Sequence, residues 1–134
     1  MPRALETAAL IRKQLPGVPN TCSRLLLEGI PTRIKGLTRE QRQRVPAQRA
    51  RMDTAFARYF RPTLGKDRIE LLVCHGNILR YLLRRAIDDP PHKWWRSDVM
   101  HCSLSAVVIR PDGTARILAF NDVGHLPRSL QKFA

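Results

Sequence analysis

The amino-acid sequence predicts a three-layer α/β fold. Three observations lead to this prediction: a helical repeat of apolar residues near the start, a short apolar run in the middle that leads into a further helix, and a turn signal between two alternating segments near the end. Helices that alternate with strands, followed by a closing hairpin, are typical of a sheet covered by helices. With 134 residues, the chain is long enough for one domain with one core.

The first part of the chain is predicted to be helical. Pro2 suits the first turn of a helix, and Pro16-Gly17 is expected to end it. Apolar residues recur between them at helical spacing, namely Ala4, Ala8, Ile11 and Leu15. After this helix, residues Arg24–Leu27 are predicted to form a short strand that ends at Glu28-Gly29.

A second helix is predicted to start near Pro46, because the polar stretch up to about Arg44 favours a loop or an irregular helix. Pro62 is expected to end this helix. Its predicted apolar face consists of Met52, Ala55, Phe56, Tyr59 and Phe60.

The middle of the chain holds the clearest strand signal. The apolar run Ile69–Cys74 is interpreted as a buried strand of a parallel sheet. His75-Gly76 would then form a tight turn, and Asn77 would be the N-cap of a helix over Ile78–Ile87.

A β-hairpin is predicted towards the end of the chain. Strands over Leu104–Ile109 and Ala115–Phe120 flank the turn signal Pro111-Asp112-Gly113, and the tail Asn121–Ala134 is expected to be loop-like. Three strands are fewer than a three-layer sheet usually has, and the chain starts on a helix. A core strand is therefore expected to be missing before that helix, and the chain is expected to be marginally stable or prone to aggregation because unpaired edges remain.

The composition is strongly basic, with 24 Lys and Arg against 11 Asp and Glu, a formal net charge of +13. Such an excess attracts polyanions. The basic residues are nevertheless spread along the whole chain, and their densest stretch, Arg33–Arg61, lacks interleaved aromatic side chains until Phe56. We interpret them as a solvated basic surface and regard nucleic-acid binding as the weakest of three functional hypotheses. No apolar run approaches the roughly 20 residues of a membrane span.

The 3 cysteines are odd in number and widely spaced, which argues against a disulfide framework and favours a reducing compartment. Neither Cys74-His75 nor His101-Cys102 has the spacing of metal ligands, so no metal site is expected. His125 follows the last strand and is open to two interpretations, a residue that lines a site or one that anchors the tail.

Three residues are candidates for chemistry, each with a simpler alternative. His75 follows a predicted core strand where a helix starts, and with the Gly76 and Asn77 backbone it could bind phosphate; it could equally be a turn residue. Arg3 near a helix start could clamp phosphate, although alone it is better explained as a surface arginine. Glu28 could be a general acid or base, or an exposed loop residue.

Taken together, these segments resemble the histidine phosphatase superfamily, which is phosphoglycerate-mutase-like. The match runs in the expected order over nearly the whole chain and is weakest over 32–66. It is most specific around His75, and it is nearest to the branch of mitochondrial serine/threonine protein phosphatases. The similar stretches are Met1–Ala8, Leu27–Pro31, Val73–Tyr81, Ser103–Ser105 and Asn121–Leu126.

The resemblance implies a three-layer α/β/α phosphoglycerate-mutase-like fold and a phosphohistidine mechanism. A histidine in an Arg-His-Gly motif attacks the phosphoryl group, and water then hydrolyses the intermediate. In this sequence Arg3 would be the second arginine of the site, His75 the second histidine, and Glu28 the proton donor. Such a site needs no metal and no other cofactor.

The sequence departs from the family in one respect: no Arg-His-Gly occurs, and none of its 4 histidines follows an arginine. We therefore expect residues 1–134 to be the C-terminal part of a histidine-phosphatase domain that lacks its first strand and nucleophile loop. Its substrate would be a phosphoprotein or a small phosphate ester. The alternative is a catalytically inactive fragment or pseudophosphatase that binds phosphorylated ligands or protein partners. A homodimer is left open, and the expected compartment is the cytoplasm, or the mitochondrion if the source is eukaryotic.

Overall fold

In the part of the chain that the structure describes, three α-helices precede one β-hairpin. The computed structural model describes residues 2–30, 36–88 and 97–132. Its helices and strands are α1 (Pro2–Gln14), α2 (Arg39–Tyr59), α3 (Gly76–Ala86), β1 (Leu104–Ile109) and β2 (Ala115–Asp122), and short 3-10 turns lie at Arg24–Leu26 and Arg128–Leu130.

The predicted first helix is confirmed as α1. It starts at Pro2, whose fixed φ suits a first helical position, and it ends at Gln14. Gly17 follows with φ +83°, a left-handed conformation that glycine adopts without steric cost. No residue of α1 is buried, although Ala4, Ala8 and Ile11 are half-buried on one face.

The start of α2 differs from the prediction. The helix begins at Arg39 because Thr38 and Gln41 form a capping box: Gln41 N donates to Thr38 Oγ1 at 3.1 Å, and Thr38 N donates to Gln41 Oε1 at 2.9 Å. Pro46, predicted near the start, lies inside the helix instead. A proline lacks the N–H that would bond to the carbonyl one turn earlier, but the flanking turns continue the helix across this site.

The core lies between α2 and α3. Its fully buried members are Met52, Ala55, Ile78, Tyr81 and Leu82. This cluster confirms the predicted apolar face of α2 and the predicted helix after His75. The Tyr81 hydroxyl donates a hydrogen bond of 2.5 Å to Asp53 Oδ1, which satisfies the one polar atom that this core side chain carries.

The hairpin is confirmed with both strands in the predicted places. β1 and β2 pair antiparallel, and β2 continues two residues beyond Phe120 to Asp122. Gly113 has φ +85°, and Arg110 N donates to Thr114 O at 2.8 Å across the turn. The tail was expected to be loop-like, and it contains a single 3-10 turn among its described residues.

Two predicted strands are not found. Residues 24–26 form a 3-10 turn because the Ser23 hydroxyl accepts a hydrogen bond from Leu25 N at 3.3 Å and caps it. Ile69–Cys74 belongs to no helix or strand, and Ile69 is 97% exposed. A strand needs a hydrogen-bonding neighbour, and the sheet found in residues 97–132 consists of β1 and β2 alone.

The core between α2 and α3 gives a first testable prediction. Leu82→Ala removes a side chain that is 1% exposed, so we expect the free energy of unfolding to fall by about 2–5 kcal/mol. Leu118→Ala is the control, since Leu118 is 68% exposed on β2, and its effect should stay within about 0.5 kcal/mol. Urea unfolding followed by circular dichroism measures both variants. Equal losses would contradict the assignment of the core to the helix pair.

Candidate functional site

A carboxylate from a distant part of the chain caps the N-terminus of α3. Glu28 Oε1 accepts a hydrogen bond from Asn77 N at 3.1 Å, across 49 positions of sequence. The first N–H groups of a helix have no partner within the helix, and its positive dipole end favours an anion. The N-cap residue is His75, whose side chain makes no capping bond, so Glu28 serves in its place.

The prediction that Asn77 is the N-cap is therefore wrong by two positions, and Asn77 has a different role. Its side-chain nitrogen donates to Gly29 O at 2.7 Å, and its side-chain oxygen accepts from Arg80 at 3.2 Å. Glu28 Oε1 also accepts from Gly29 N at 3.1 Å. Together these bonds clamp the loop that carries Glu28 onto the first turn of α3.

The same loop is fastened to α2 by two residues that sequence reasoning missed. Arg51 donates hydrogen bonds to three backbone carbonyls of the loop, and Gln48 exchanges two hydrogen bonds with the backbone of Ile30. A signal existed in the sequence, because both residues lie at helical spacing from Met52 and Ala55. They therefore share the inner face of α2.

His75 faces a wide groove rather than the core. This groove of about 1210 Å³ lies between α1 and residues 68–75, and α1 contributes Ala4, Ala8 and Ile11 to its wall. Most charged side chains that line the groove are basic, namely Arg12, Lys13, Arg24, Arg58, Arg61 and Arg68, against the single carboxylate of Glu70. The groove therefore favours an anionic ligand.

Arg3 is not brought into contact with the other candidates. It is exposed at the start of α1, and its guanidinium makes no hydrogen bond or ion pair with any residue in the described ranges. Its helix nevertheless lines the groove that His75 faces. Of the predicted site residues, the structure brings together Glu28, His75, Gly76 and Asn77.

Two histidines outside this cluster are exposed. His125 lies in the turn after β2, and His101 follows the bridge at Met100. Within the parts of the chain that the structure describes, no three His, Cys, Asp or Glu side chains come close enough to hold a metal ion. No described helix combines the length and the apolar composition needed to cross a membrane.

Comparison with known proteins identifies the family. A sequence model described as the histidine phosphatase superfamily (branch 1) matches residues 45–123, a range that includes His75, Gly76 and Asn77 and leaves out Arg3 and Glu28. The chain belongs to this superfamily. The phosphoglycerate mutase of Plasmodium falciparum matches it in structure with a TM-score of 0.67 and 30% sequence identity, over 96% of this chain and 69% of that chain. The predicted α/β, phosphoglycerate-mutase-like fold class is thereby confirmed.

Curated relatives from animals agree with this family assignment. The mitochondrial serine/threonine-protein phosphatase Pgam5 of Caenorhabditis briggsae is 38% identical over 94% of this chain and 47% of its own length. The Homo sapiens protein of the same name is 32% identical over 95% of this chain and 46% of its own length. The chain thus spans about half the length of these relatives. The roles of the individual site residues stay predictions.

Cys74 gives a prediction for this part of the molecule. Burial, and then the nearby charge of Glu28, raise the pKa of the Cys74 thiol to about 12, so almost no thiolate exists at pH 8. Cys22 and Cys102 are exposed. We expect a disulfide reagent at pH 8 to modify these two thiols quickly and Cys74 at least about tenfold more slowly. Mass spectrometry of the modified peptides identifies the slow thiol, and equal rates in the folded protein would contradict the burial of Cys74.

Proposed function

We propose that this chain is part of a phosphatase of the histidine phosphatase superfamily that hydrolyses phosphomonoesters. The single observation that supports it best is the cluster at the start of α3. There His75 lies within the family match, at a helix N-terminus, two residues before the Asn77 N–H that donates to the carboxylate of Glu28. The proposed reaction proceeds through a phosphohistidine, and no Arg-His-Gly motif occurs in these 134 residues.

The roles follow from the chemistry that each group offers. The His75 side chain, the Gly76 N–H and Arg3 hold the phosphoryl oxygens and stabilise the charge that develops on them. As the nucleophilic nitrogen bonds to phosphorus, the bond to the leaving oxygen breaks, and Glu28, which enters this step as the carboxylic acid, gives that oxygen its proton. The ionised Glu28 then takes a proton from the water that cleaves the phosphorus–nitrogen bond, which restores the starting state.

The geometry divides the predicted phosphate-binding residues into two groups. The Asn77 N–H already donates to Glu28, and the Asn77 side chain donates to Gly29. The Gly76 N–H makes no hydrogen bond with any other described residue. We therefore assign phosphate binding first to His75 and Gly76, and we assign to Asn77 mainly the task of holding the carboxylate.

A phosphoprotein is our preferred substrate class, because the relatives carry the name serine/threonine-protein phosphatase. A small phosphate ester stays the alternative. The word mitochondrial in the same names supports the mitochondrion over the cytoplasm as the compartment. A homodimer is a further proposal, supported by the exposed apolar side chains of Leu5, Leu15 and Leu71 along the groove.

A catalytically inactive protein that binds phosphorylated ligands or protein partners is the second candidate. It is favoured by one observation: the sequence contains no Arg-His-Gly, while the residues that would hold a phosphate are present. Nucleic-acid binding stays the least favoured proposal, since it is supported by the net charge alone.

Both candidates predict that the chain binds inorganic phosphate. Isothermal titration calorimetry at low ionic strength should show that the wild type binds phosphate. The affinity of His75→Ala and Arg3→Gln should be at least about tenfold lower, because a hydrogen bond to a charged group contributes roughly 1.5–3 kcal/mol. The matched controls are His125→Ala and Arg110→Gln, which change exposed residues of the hairpin region. If all four variants bind phosphate alike, the site does not lie at α3.

Catalysis separates the two candidates. On 4-nitrophenyl phosphate the chain alone should be inactive, since losing a nucleophile costs several orders of magnitude in rate. Added imidazole can enter the open groove and supply the nucleophilic nitrogen, so we expect imidazole-dependent hydrolysis that His75→Ala abolishes.

Two other results would change this proposal. Hydrolysis without imidazole that His75→Ala removes would place the nucleophile inside these 134 residues. Phosphate binding with no hydrolysis under either condition would favour the inactive binding protein.

A further inference from the structure

We propose that Arg51 of α2 is a positioning residue that sets the place of the Glu28 carboxylate at the start of α3. The chemical consequence of this placement rests on the proposed function, in which Glu28 donates a proton to the leaving oxygen. The placement itself is a separate claim about geometry and can be tested without any turnover.

The guanidinium of Arg51 holds three backbone carbonyls of the loop at once. Its Nη1 donates to Leu25 O and to Leu27 O, each at 2.7 Å, and its Nη2 donates to Glu28 O at 3.1 Å. A planar fork with several N–H groups can span separate carbonyls in a fixed arrangement, whereas the single ammonium group of lysine cannot.

The local electrostatics agree with this role. Burial lowers the pKa of Arg51 and the negative charge of Glu28 raises it, so the two groups are close enough to interact while the guanidinium is partly removed from water. A cation that is partly removed from water needs hydrogen-bond acceptors, and the three loop carbonyls supply them. The cation therefore stabilises this conformation of the loop over alternatives that would leave it unsatisfied.

The rest of the loop is pressed against α2, so the carboxylate has little freedom once Arg51 is in place. Gln48 accepts from Ile30 N at 2.6 Å and donates to Ile30 O at 2.7 Å. A Cβ at Gly29 would lie 3.2 Å from Met52 Sδ, which shows how closely the backbone approaches the helix. Gln48 anchors the chain after Glu28, and Arg51 anchors it before and at Glu28.

A spectroscopic test follows from the bond between Glu28 and Asn77. Because the acceptor of the Asn77 amide is an ionisable carboxylate, the amide chemical shift should change with pH as long as the carboxylate stays at the amide. We expect Arg51→Gln to remove most of this change, since the carboxylate then no longer stays at the amide. Arg44→Gln is the matched control, because Arg44 is an exposed arginine of the same helix that pairs with Glu40.

Other groups near Glu28 could also move this signal, and they are separated by a reference variant. Arg51 interacts with the charge of Glu28 from α2, and Cys74 does so from the segment before α3. His75 is the N-cap residue of the same helix, two positions before Asn77. Glu28→Gln keeps the side-chain shape but does not ionise, so any pH change that remains at Asn77 in this variant comes from the other groups. In the wild type and in the arginine variants, the pH-dependent change of the Asn77 amide shift is measured relative to the change that remains in Glu28→Gln.

Arg51→Lys decides whether the fork or the charge matters. We expect the lysine variant to behave like Arg51→Gln, because it keeps the charge and loses the simultaneous bonds to the carbonyls; it also serves if the glutamine variant fails to fold. The proposal would be overturned if a folded Arg51→Gln or Arg51→Lys protein kept the full wild-type pH-dependent change of the Asn77 amide shift. Loss in the Arg44→Gln control as well would also overturn it, since the effect would not be specific to Arg51.

Turnover distinguishes a failure of the proposed function from a failure of this inference. In the imidazole-dependent assay, Arg51→Gln should slow hydrolysis of phenyl phosphate, which needs a proton donor, by up to about 10²-fold. Its effect on 4-nitrophenyl phosphate, whose leaving group needs little protonation, should be small. If Asn77 responds as expected but no substrate is hydrolysed, the positioning by Arg51 stands and the proposed function fails. If both substrates slow equally, Arg51 acts on overall structure and its role through Glu28 fails.

Discussion

The hydrogen bond from the Asn77 amide to the Glu28 carboxylate is the contact around which the site is arranged. A helix that starts without a capping side chain of its own has unpaired N–H groups at a positive dipole end. In α3 the N-cap residue His75 leaves its side chain uncommitted to that task. The cap comes from the other side of the site, and His75 is thereby left to face the groove.

This contact requires that the loop carrying Glu28 be held at a fixed distance from the first turn of α3, and α2 holds it there. One face of α2 carries both apolar and polar residues: Met52 and Ala55 pack in the core, while Gln48 and Arg51 bond to the loop backbone. The same helix therefore stabilises the fold and places the carboxylate. A change in the packing of α2 against α3 would therefore shift Glu28, whose loop is bonded to α2, relative to its partner Asn77 on α3.

The groove beside His75 has a different character from the core. Its walls are largely apolar, its rim is basic, and the segment around Ile69 that forms one side lies in no strand among the described residues. An apolar wall that faces solvent favours contact with another surface, while the basic rim favours an anion. Of the predicted site residues, His75 lines this groove, and it lies within the family match.

The sequence by itself determined the elements whose signals are local. These are α1, the helix after His75, and the hairpin around Gly113, together with the family, through the motif near His75. The tertiary structure alone decided that Glu28 caps α3 and that Arg51 holds its loop. It also decided that the apolar run Ile69–Cys74 is not a strand here. The physical reason is that each of these features is a contact between distant segments, which no local pattern encodes. Glu28 caps a helix 49 residues away, Arg51 bonds to carbonyls of another segment, and a strand needs a neighbouring strand to pair with.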